Sequence, residues 1–231
     1  MPSDAAPIPT HDSVFGVVVL DHSVDMELLQ QKQVSLHTNF GYGVDIADEW
    51  DEAPFVAGRR LADALVHTAP FAGNSAVVAV SEFATIVDPA AVSMLRMNVL
   101  YGTNFHHGLV QARSRNPKRI VLIAYSAPTA HWDGPGERDY FFSWPPTPET
   151  IDRTKRELDG AVNDGVQIDA VLIENPARRE NHSWTGHLHQ INDLATDATY
   201  RSHGLLAHIP TPVSDRDITD IVNAIANSAS Q

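Results

Sequence analysis

The sequence contains no cysteine among its 231 residues. Disulfide scaffolds, thiol chemistry and zinc sites with thiolate ligands are therefore excluded. Basic residues are also scarce, because 16 Lys and Arg stand against 29 Asp and Glu, which gives a formal net charge of −13 with neutral histidines. A surface this acidic repels phosphate backbones, so we expect no nucleic-acid partner.

Long apolar runs are missing as well. None approaches the roughly 18 consecutive apolar residues of a membrane-spanning helix. The opening "MPSDAAPIPTHDS" lacks the basic start and apolar stretch of a signal peptide. We therefore expect a cytoplasmic protein without a membrane partner. The length suits one large domain over residues 13–231, preceded by a flexible tail over residues 1–12.

Short apolar bursts recur along the chain instead. Runs nearly continuous in Val, Ile, Leu and Ala are typical of strands buried on both faces of a parallel sheet. They cover residues 14–20, 75–83, 119–126, 166–174 and, more weakly, 204–209. Helical patterns lie between them, over residues 55–66, 104–114, 149–164, 187–196 and 215–228. This alternation predicts a doubly wound, Rossmann-like α/β domain with helices on both faces of the sheet.

Two helix starts have a residue that can cap them. Thr147 is placed to be an N-cap with Pro148 at the first helical position, and Thr103 is expected to open the helix that follows it. A cap is the simplest interpretation of each threonine.

Two stretches between strand and helix indicate insertions, over about residues 34–54 and 130–148. Both are expected at the carboxyl edge of the sheet, where ligands bind in open α/β sheets. The first is acidic and is either a lid or partner surface, or a solvated loop. The second is rich in aromatic residues, which either pack beneath the loop or bind a partner.

The stretch "VVVLDHSVDM" places Asp21, Ser23 and Asp25 at every second position after an apolar run. Two carboxylates and a hydroxyl converging at a strand end are suitable ligands for a hard cation such as Mg²⁺. Spacing alone equally allows an Asx turn with Asp25 as a helix N-cap. Thr103, in "YGTNFHHGL", would add a hydroxyl ligand from a different loop.

With these motifs, the sequence resembles a von Willebrand factor A (vWA) domain. The metal-ion-dependent adhesion site (MIDAS) of that family consists of D-x-S-x-S, a loop Thr and a loop Asp. The resemblance is closest to stand-alone bacterial vWA proteins of the CoxE and magnesium-chelatase-like type, which accompany MoxR-type AAA+ ATPases. It implies a mostly parallel sheet with one antiparallel edge strand, and, because "APTAH" resembles a signature of that branch, it implies that His131 organises its loop near the site. The segments that carry it are "LDHSVDM", "VVAVSEFATIVDP", "YGTNFHHGLVQAR" and "PTAHWDGPGERDYFFSWPPTPETIDRTKREL".

The resemblance assigns metal ligands to Asp21, Ser23 and Thr103, and the sequence departs from the family pattern at two positions. Asp25 stands where the family has its second Ser, and the usual loop Asp is replaced by Tyr125. Tyrosine cannot replace a carboxylate at neutral pH. One carboxylate is thus lost and one gained, so that Asp25 can complete a site for Mg²⁺, or for Mn²⁺ or Ca²⁺. The competing hypothesis is a degenerate, metal-free site.

The function that the resemblance implies is that of a non-enzymatic adaptor. Its cation would bind a partner's carboxylate, and it would work with a MoxR-type AAA+ ATPase in complex remodelling or insertion of a metal cofactor. One alternative is a metal-free module that serves as a structural subunit of a larger assembly. A second, a Mg²⁺-dependent phosphatase, is disfavoured because Ser23 stands where a second Asp is needed. Walker and G-x-S-x-G motifs are absent, and the sequence leaves the oligomeric state open.

Overall fold

The computed structural model describes residues 13–23, 53–97, 102–133, 140–143, 145–174 and 188–228. The elements in chain order are β1 (Gly16–Asp21), α1 (Ala53–Val66), β2 (Ser75–Val80), β3 (Ala84–Val87), a 3₁₀ helix (Pro89–Met94), α2 (Phe105–Arg113), β4 (Arg119–Ala124), β5 (Ala130–Trp132), β6 (Tyr140–Phe142), α3 (Pro148–Asn163), β7 (Gln167–Glu174), α4 (Leu188–Arg201), β8 (Leu206–Pro210) and α5 (Asp215–Ser228).

Six of the strands form one sheet in the order β3-β2-β1-β4-β7-β8. All neighbours are parallel except β2 and β3, which pair antiparallel at the edge. The chain moves to one side of β1 through β2 and to the other side through β4. The carboxyl ends of β1 and β4 therefore flank a topological switch point, where open α/β sheets bind ligands. The predicted doubly wound α/β fold, including its antiparallel edge strand, is confirmed.

Two apolar cores lie on opposite faces of the sheet. One joins alternate strand residues to α1 and α5, through side chains such as Leu61, Leu65 and Val222. The other joins the remaining strand residues to α2, α3 and α4, as at Leu109 and Leu158. Because β1 and β4 are buried along their whole length, these strands read as continuous apolar runs in the sequence.

Some element boundaries differ from the predicted ones. Thr147 caps α3 and Pro148 is its first residue, as predicted. The prediction that Thr103 opens the next helix is wrong, because α2 starts at Phe105 and Asn104 is its cap, accepting the His107 N–H at 2.9 Å. The Thr103 side chain is engaged elsewhere. The helix predicted over residues 187–196 extends to Arg201, and β2 ends at Val80, before the turn into β3.

The predicted insertion over residues 130–148 contains an antiparallel pair of short strands, β5 and β6, in which Ala130 pairs with Phe142. We call this pair the aromatic hairpin. The predicted tail over residues 1–12 and nearly all of the predicted insertion over residues 34–54 lie outside the described residues. None of the helices in the described part of the chain has the length and apolarity needed to cross a bilayer.

Candidate functional site

Four buried polar side chains meet at the carboxyl edge of the sheet. Asp21 is the last residue of β1 and Ser23 follows it, Thr103 lies just before α2, and Ser126 lies just after β4. Their exposed fractions are 0%, 0%, 2% and 4%, respectively. We call these four residues the hydroxyl cluster. The structure thus brings together three of the four predicted ligands, whereas Asp25 lies outside the described residues.

The Asp21 carboxylate is the centre of the hydroxyl cluster. Its Oδ1 accepts hydrogen bonds from the Ser23 backbone N–H at 3.1 Å and the Ser23 hydroxyl at 2.7 Å. Its Oδ2 accepts from the Ser126 N–H at 3.0 Å, the Ser126 hydroxyl at 2.6 Å and the Tyr125 N–H at 3.3 Å. Burial raises the pKa of Asp21, while the bonds from Ser126, Ser23 and Tyr125 oppose the rise. Protein donors therefore replace the water that the carboxylate has lost.

The three hydroxyl groups also contact one another. Thr103 Oγ1 lies 2.6 Å from Ser23 Oγ and 2.8 Å from Ser126 Oγ, and the two serine oxygens are 3.3 Å apart. Each hydroxyl has one proton to donate. Since the protons of Ser23 and Ser126 go to Asp21, the proton of Thr103 goes to one of the two serines. The hydroxyl cluster is a closed hydrogen-bonded network.

Tyr125 contributes differently from the family's loop Asp, whose place it was predicted to take. Its phenol donates a hydrogen bond to the Ser23 carbonyl oxygen at 2.5 Å, and its ring belongs to the core that contains α1 and α5. Burial, together with the charge of Asp21, raises the pKa of Tyr125 well above its usual value. The phenol is therefore a neutral donor that anchors the backbone of Ser23.

Ser126 was not predicted as a site residue, although a signal for it exists. Side chains alternate between the two faces along a strand. On β1, Val17 and Val19 face α2 and α3, so Asp21 continues on that face. On β4, Leu122 and Ala124 share the same face. The next side chain on that face is Ser126, whereas Tyr125 lies on the opposite face.

The hydroxyl cluster has the hard oxygen atoms that Mg²⁺ prefers, but its geometry is not that of a coordination shell. Mg²⁺ demands octahedral ligands at about 2.0–2.1 Å, which places adjacent ligand oxygens about 2.9 Å apart. The Ser23 and Thr103 oxygens are 2.6 Å apart. The only carboxylate of the cluster already accepts five hydrogen bonds from the protein. These four described side chains alone do not fit a resident magnesium ion.

A second group of polar side chains joins the aromatic hairpin to α3. Ligand atoms of His131, Asp133 and Glu149 all lie within 4.8 Å of one another. Arg153 already bridges the carboxylates, at 2.7 Å from Asp133 and 2.8 Å from Glu149, and His131 Nδ1 lies 2.8 Å from the Thr150 hydroxyl. The arginine supplies the positive charge that a metal would bring. This group therefore anchors the hairpin, and the predicted organising role of His131 agrees with these contacts.

The aromatic hairpin is also attached directly to the hydroxyl cluster. The Thr103 N–H donates to the Thr129 hydroxyl at 2.8 Å, and the Thr103 carbonyl accepts from the backbone N–H groups of Thr129 and Ala130 at 3.0 and 3.2 Å. At the far side of the hairpin, the Ser143 N–H donates to the Thr129 carbonyl at 2.9 Å. The backbone of Thr103 thus holds the hairpin while its side chain belongs to the hydroxyl cluster.

Comparisons of sequence identify relatives in mycobacteria. Rv0959 of Mycobacterium tuberculosis and Mb0984 of Mycobacterium bovis, both described as uncharacterized proteins, are each 28% identical to the chain over 170 residues. The match covers 68% of this chain and 24% of either relative. The chain thus spans about a quarter of the length of the curated relatives it matches.

A comparison of structures finds the same fold in a mutant of the PilB minor pilin from Streptococcus sanguinis. The TM-score is 0.53 at 13% identity, over 96% of this chain and 62% of the pilin. A model of the family described as "Rv0959-like protein, vWA domain" matches residues 34–193. The matched range contains Thr103 and Ser126 and begins after Asp21 and Ser23. Because this range is more than half of the sequence, the chain belongs to the Rv0959-like family of vWA-domain proteins.

Proposed function

We propose that the protein is a non-enzymatic adaptor that binds a partner protein at the carboxyl edge of its sheet. A vWA domain fits a role in protein interaction in general. The observation that carries the proposal is the pairing of a closed, buried hydroxyl cluster with an aromatic hairpin attached to it. This arrangement provides a rigid edge for binding.

The bonding of the hydroxyl cluster argues against a reaction centre. A nucleophilic hydroxyl needs an adjacent base and access to substrate. The hydroxyls of Ser23 and Ser126 instead provide two of the five hydrogen bonds that the Asp21 carboxylate accepts, and all four side chains are at most 4% exposed. These contacts favour a structural role for the cluster over hydrolysis.

The aromatic hairpin provides the contact surface in this proposal. The Phe141 side chain is 41% exposed, and its ring stacks on His131 with 5.0 Å between centroids. Thr103 and Arg153 hold the two ends of the neighbouring strand β5, through Ala130 and Trp132. An aromatic side chain already held in place loses little freedom on binding and is a suitable interface anchor.

We propose a MoxR-type AAA+ ATPase as the partner, because of the sequence resemblance, with complex remodelling or metal-cofactor insertion as the joint activity. The cation-dependent version of this adaptor needs Asp25 as a ligand. The second candidate, a metal-free structural subunit, is favoured by the closed hydroxyl cluster. The two candidates differ in one respect that can be measured. Removal of the cation by a chelator would abolish partner binding by the cation-dependent adaptor, but not by the metal-free subunit.

Capture of a purified MoxR-type AAA+ ATPase by the immobilised full chain tests the proposal. We expect capture with Phe141→Ala to weaken about tenfold or more. The control is Tyr200→Ala, because Tyr200 is 83% exposed and lies at the end of α4, toward the opposite edge of the sheet. Equal capture by wild type and Phe141→Ala would exclude the hairpin as the contact surface, and failure to capture would exclude this partner.

The same experiment in EDTA separates the two versions, since only the cation-dependent adaptor loses its partner. Hydrolysis of a chromogenic phosphate by the wild type, abolished in Asp21→Ala, would contradict a non-enzymatic role.

A further inference from the structure

We infer that the Ser126 hydroxyl takes the place of a divalent cation as the group that joins the loops at the carboxyl edge, so that the hydroxyl cluster assembles without metal. The inference concerns how this edge is held together, and it does not depend on which partner binds there.

The position of Ser126 Oγ is the first reason. It lies 2.6 Å from Asp21 Oδ2, 2.8 Å from Thr103 Oγ1 and 3.3 Å from Ser23 Oγ. One oxygen atom therefore contacts the three side chains that a bound cation would bring together. These side chains come from the last residue of β1, from the segment after it and from the turn before α2.

The attachment of β4 to β1 is the second reason. Besides the Ser126 hydroxyl, the backbone N–H groups of Tyr125 and Ser126 donate to the Asp21 carboxylate. The Tyr125 phenol donates to the Ser23 carbonyl oxygen. Backbone and side-chain hydrogen bonds of the protein itself thus connect the end of β4 to residues 21–23.

Charge is the third reason. With Ser at position 126, the hydroxyl cluster contains one carboxylate, and both of its oxygens are already hydrogen bonded. A second carboxylate at position 126 would face Asp21 in a buried site, where two like charges repel strongly. Such a pair would need a cation or a shared proton between them. Serine at this position therefore supplies the link and removes the demand for metal.

Thermal unfolding of the full chain after dialysis against EDTA tests the inference. We expect the Tm of the wild type to change by less than about 1 °C when millimolar Mg²⁺, Mn²⁺ or Ca²⁺ is added. Ser126→Ala should have a lower Tm and should also not respond to metal. Ser126→Asp should have a lower Tm in EDTA and should recover by about 4 °C or more with metal.

Two measurements control for the added charge and for misfolding. Ser114→Asp adds the same charge at an exposed position at the C-terminal end of α2, whereas the hydroxyl cluster lies at its N-terminal end, and the Tm of this variant should not respond to metal. Isothermal titration of Mg²⁺ and Mn²⁺ into the wild type should give no binding heat, a result that stands even if Ser126→Asp fails to fold. Binding heat in the wild type that disappears in Asp25→Ser would overturn the inference and establish Asp25 as a ligand. Partner capture is not part of these measurements, so their failure is distinguishable from failure of the adaptor proposal.

Discussion

His106 connects the protonation of a single side chain to the position of the aromatic hairpin. Its Nδ1 accepts a hydrogen bond from the Trp132 backbone N–H at 3.1 Å. Burial, aided by the positive charge of Arg153, lowers the pKa of His106 to about 4. The ring is therefore neutral at pH 7, and the neutral form is the one that can accept this bond.

The depressed pKa of His106 predicts a loss of stability in mild acid. Between pH 6.5 and about 4 the unfolded chain binds a proton that the folded protein does not, so the free energy of unfolding falls across this window. His106→Asn should therefore show a smaller fall in Tm between pH 7 and pH 4.5 than the wild type. Part of the fall should remain, because burial also lowers the pKa of His107 and His131.

His67→Asn is the matched control for this measurement, because the His67 side chain is 62% exposed. The Tm of His67→Asn should fall between pH 7 and pH 4.5 by as much as the Tm of the wild type. A pH profile of His106→Asn identical to that of the wild type would contradict the assignment to His106.

At the scale of residues, the sequence predicted which side chains of two segments converge. Asp21, Ser23 and Thr103 lie within hydrogen-bonding reach of one another through Ser23 Oγ, and their role as metal ligands remains a prediction. Ser126 was not predicted, because the family motif places its loop Asp at Tyr125, one residue earlier. Strand alternation, a purely physical criterion, places the Ser126 side chain on the face of Asp21.

At the scale of elements, Gly102 controls how the hairpin packs on the turn before α2. Its φ of +100° is unfavourable for other residues, and a Cβ there would lie 2.9 Å from Phe142 Cδ2. Gly102→Ala should therefore lower the free energy of unfolding by about 1–2 kcal/mol through the backbone and by about 1–3 kcal/mol more through crowding. Urea unfolding measures the sum.

Gly73 offers a control that isolates the crowding. Its φ of +70° is also positive, but a Cβ there would meet nothing within 4 Å. Gly73→Ala should show the backbone cost alone, and Phe142→Ala should recover part of the stability lost in Gly102→Ala. Equal losses in the two glycine variants would show that Phe142 does not pack against the turn.

Helix starts show how far local sequence predicts an element. Thr147 and Pro148 form a local start signal, and the Thr147 side chain caps the helix that begins at Pro148. Thr103 carries a similar signal, but its hydroxyl bonds to Ser23 and Ser126, so Asn104 caps α2 instead. The pairing of β5 with β6 is likewise beyond the reach of a pattern, because each strand has only three residues.

At the scale of the whole molecule, a buried ion pair joins elements at the edge opposite the hydroxyl cluster. Arg119, which begins β4, is 1% exposed and forms two hydrogen bonds to the carboxylate of Asp169 on β7, which is fully buried. The same guanidinium donates to Ser228 at the end of α5, and Asp169 accepts the Leu205 N–H at 2.8 Å. The pair therefore connects two central strands to the last helix and to the start of β8.

Removing one partner of this pair should be costly. Asp169→Asn leaves a buried charge uncompensated and should lower the free energy of unfolding by about 3–5 kcal/mol. Replacing both charges, as Arg119→Met with Asp169→Leu, should cost less than the single change. Chemical denaturation measures each variant, with Asp220→Asn as the control because the Arg216–Asp220 pair is exposed and should contribute at most about 1 kcal/mol. A small effect of Asp169→Asn would contradict this account.

The overall topology was the most predictable property of the chain. Apolar runs such as residues 16–21 and 119–124 are buried on both faces, and this burial is what the pattern indicates. The edge strand β3 has four residues, and its two middle ones, Thr85 and Ile86, are exposed, so it is too short for its sequence to give a periodic burial signal. It was predicted through family resemblance alone.

The hydroxyl cluster joins residues that are distant in sequence, with 80 positions between Ser23 and Thr103 and 105 between Asp21 and Ser126. Such contacts require that β1 and β4 already lie side by side, so we expect the cluster to close after the rate-limiting step of folding. Substitutions in it should then speed unfolding while leaving the refolding rate nearly unchanged, which stopped-flow kinetics can measure. The cluster would in that case set the lifetime of the native state more than the speed at which the state is reached.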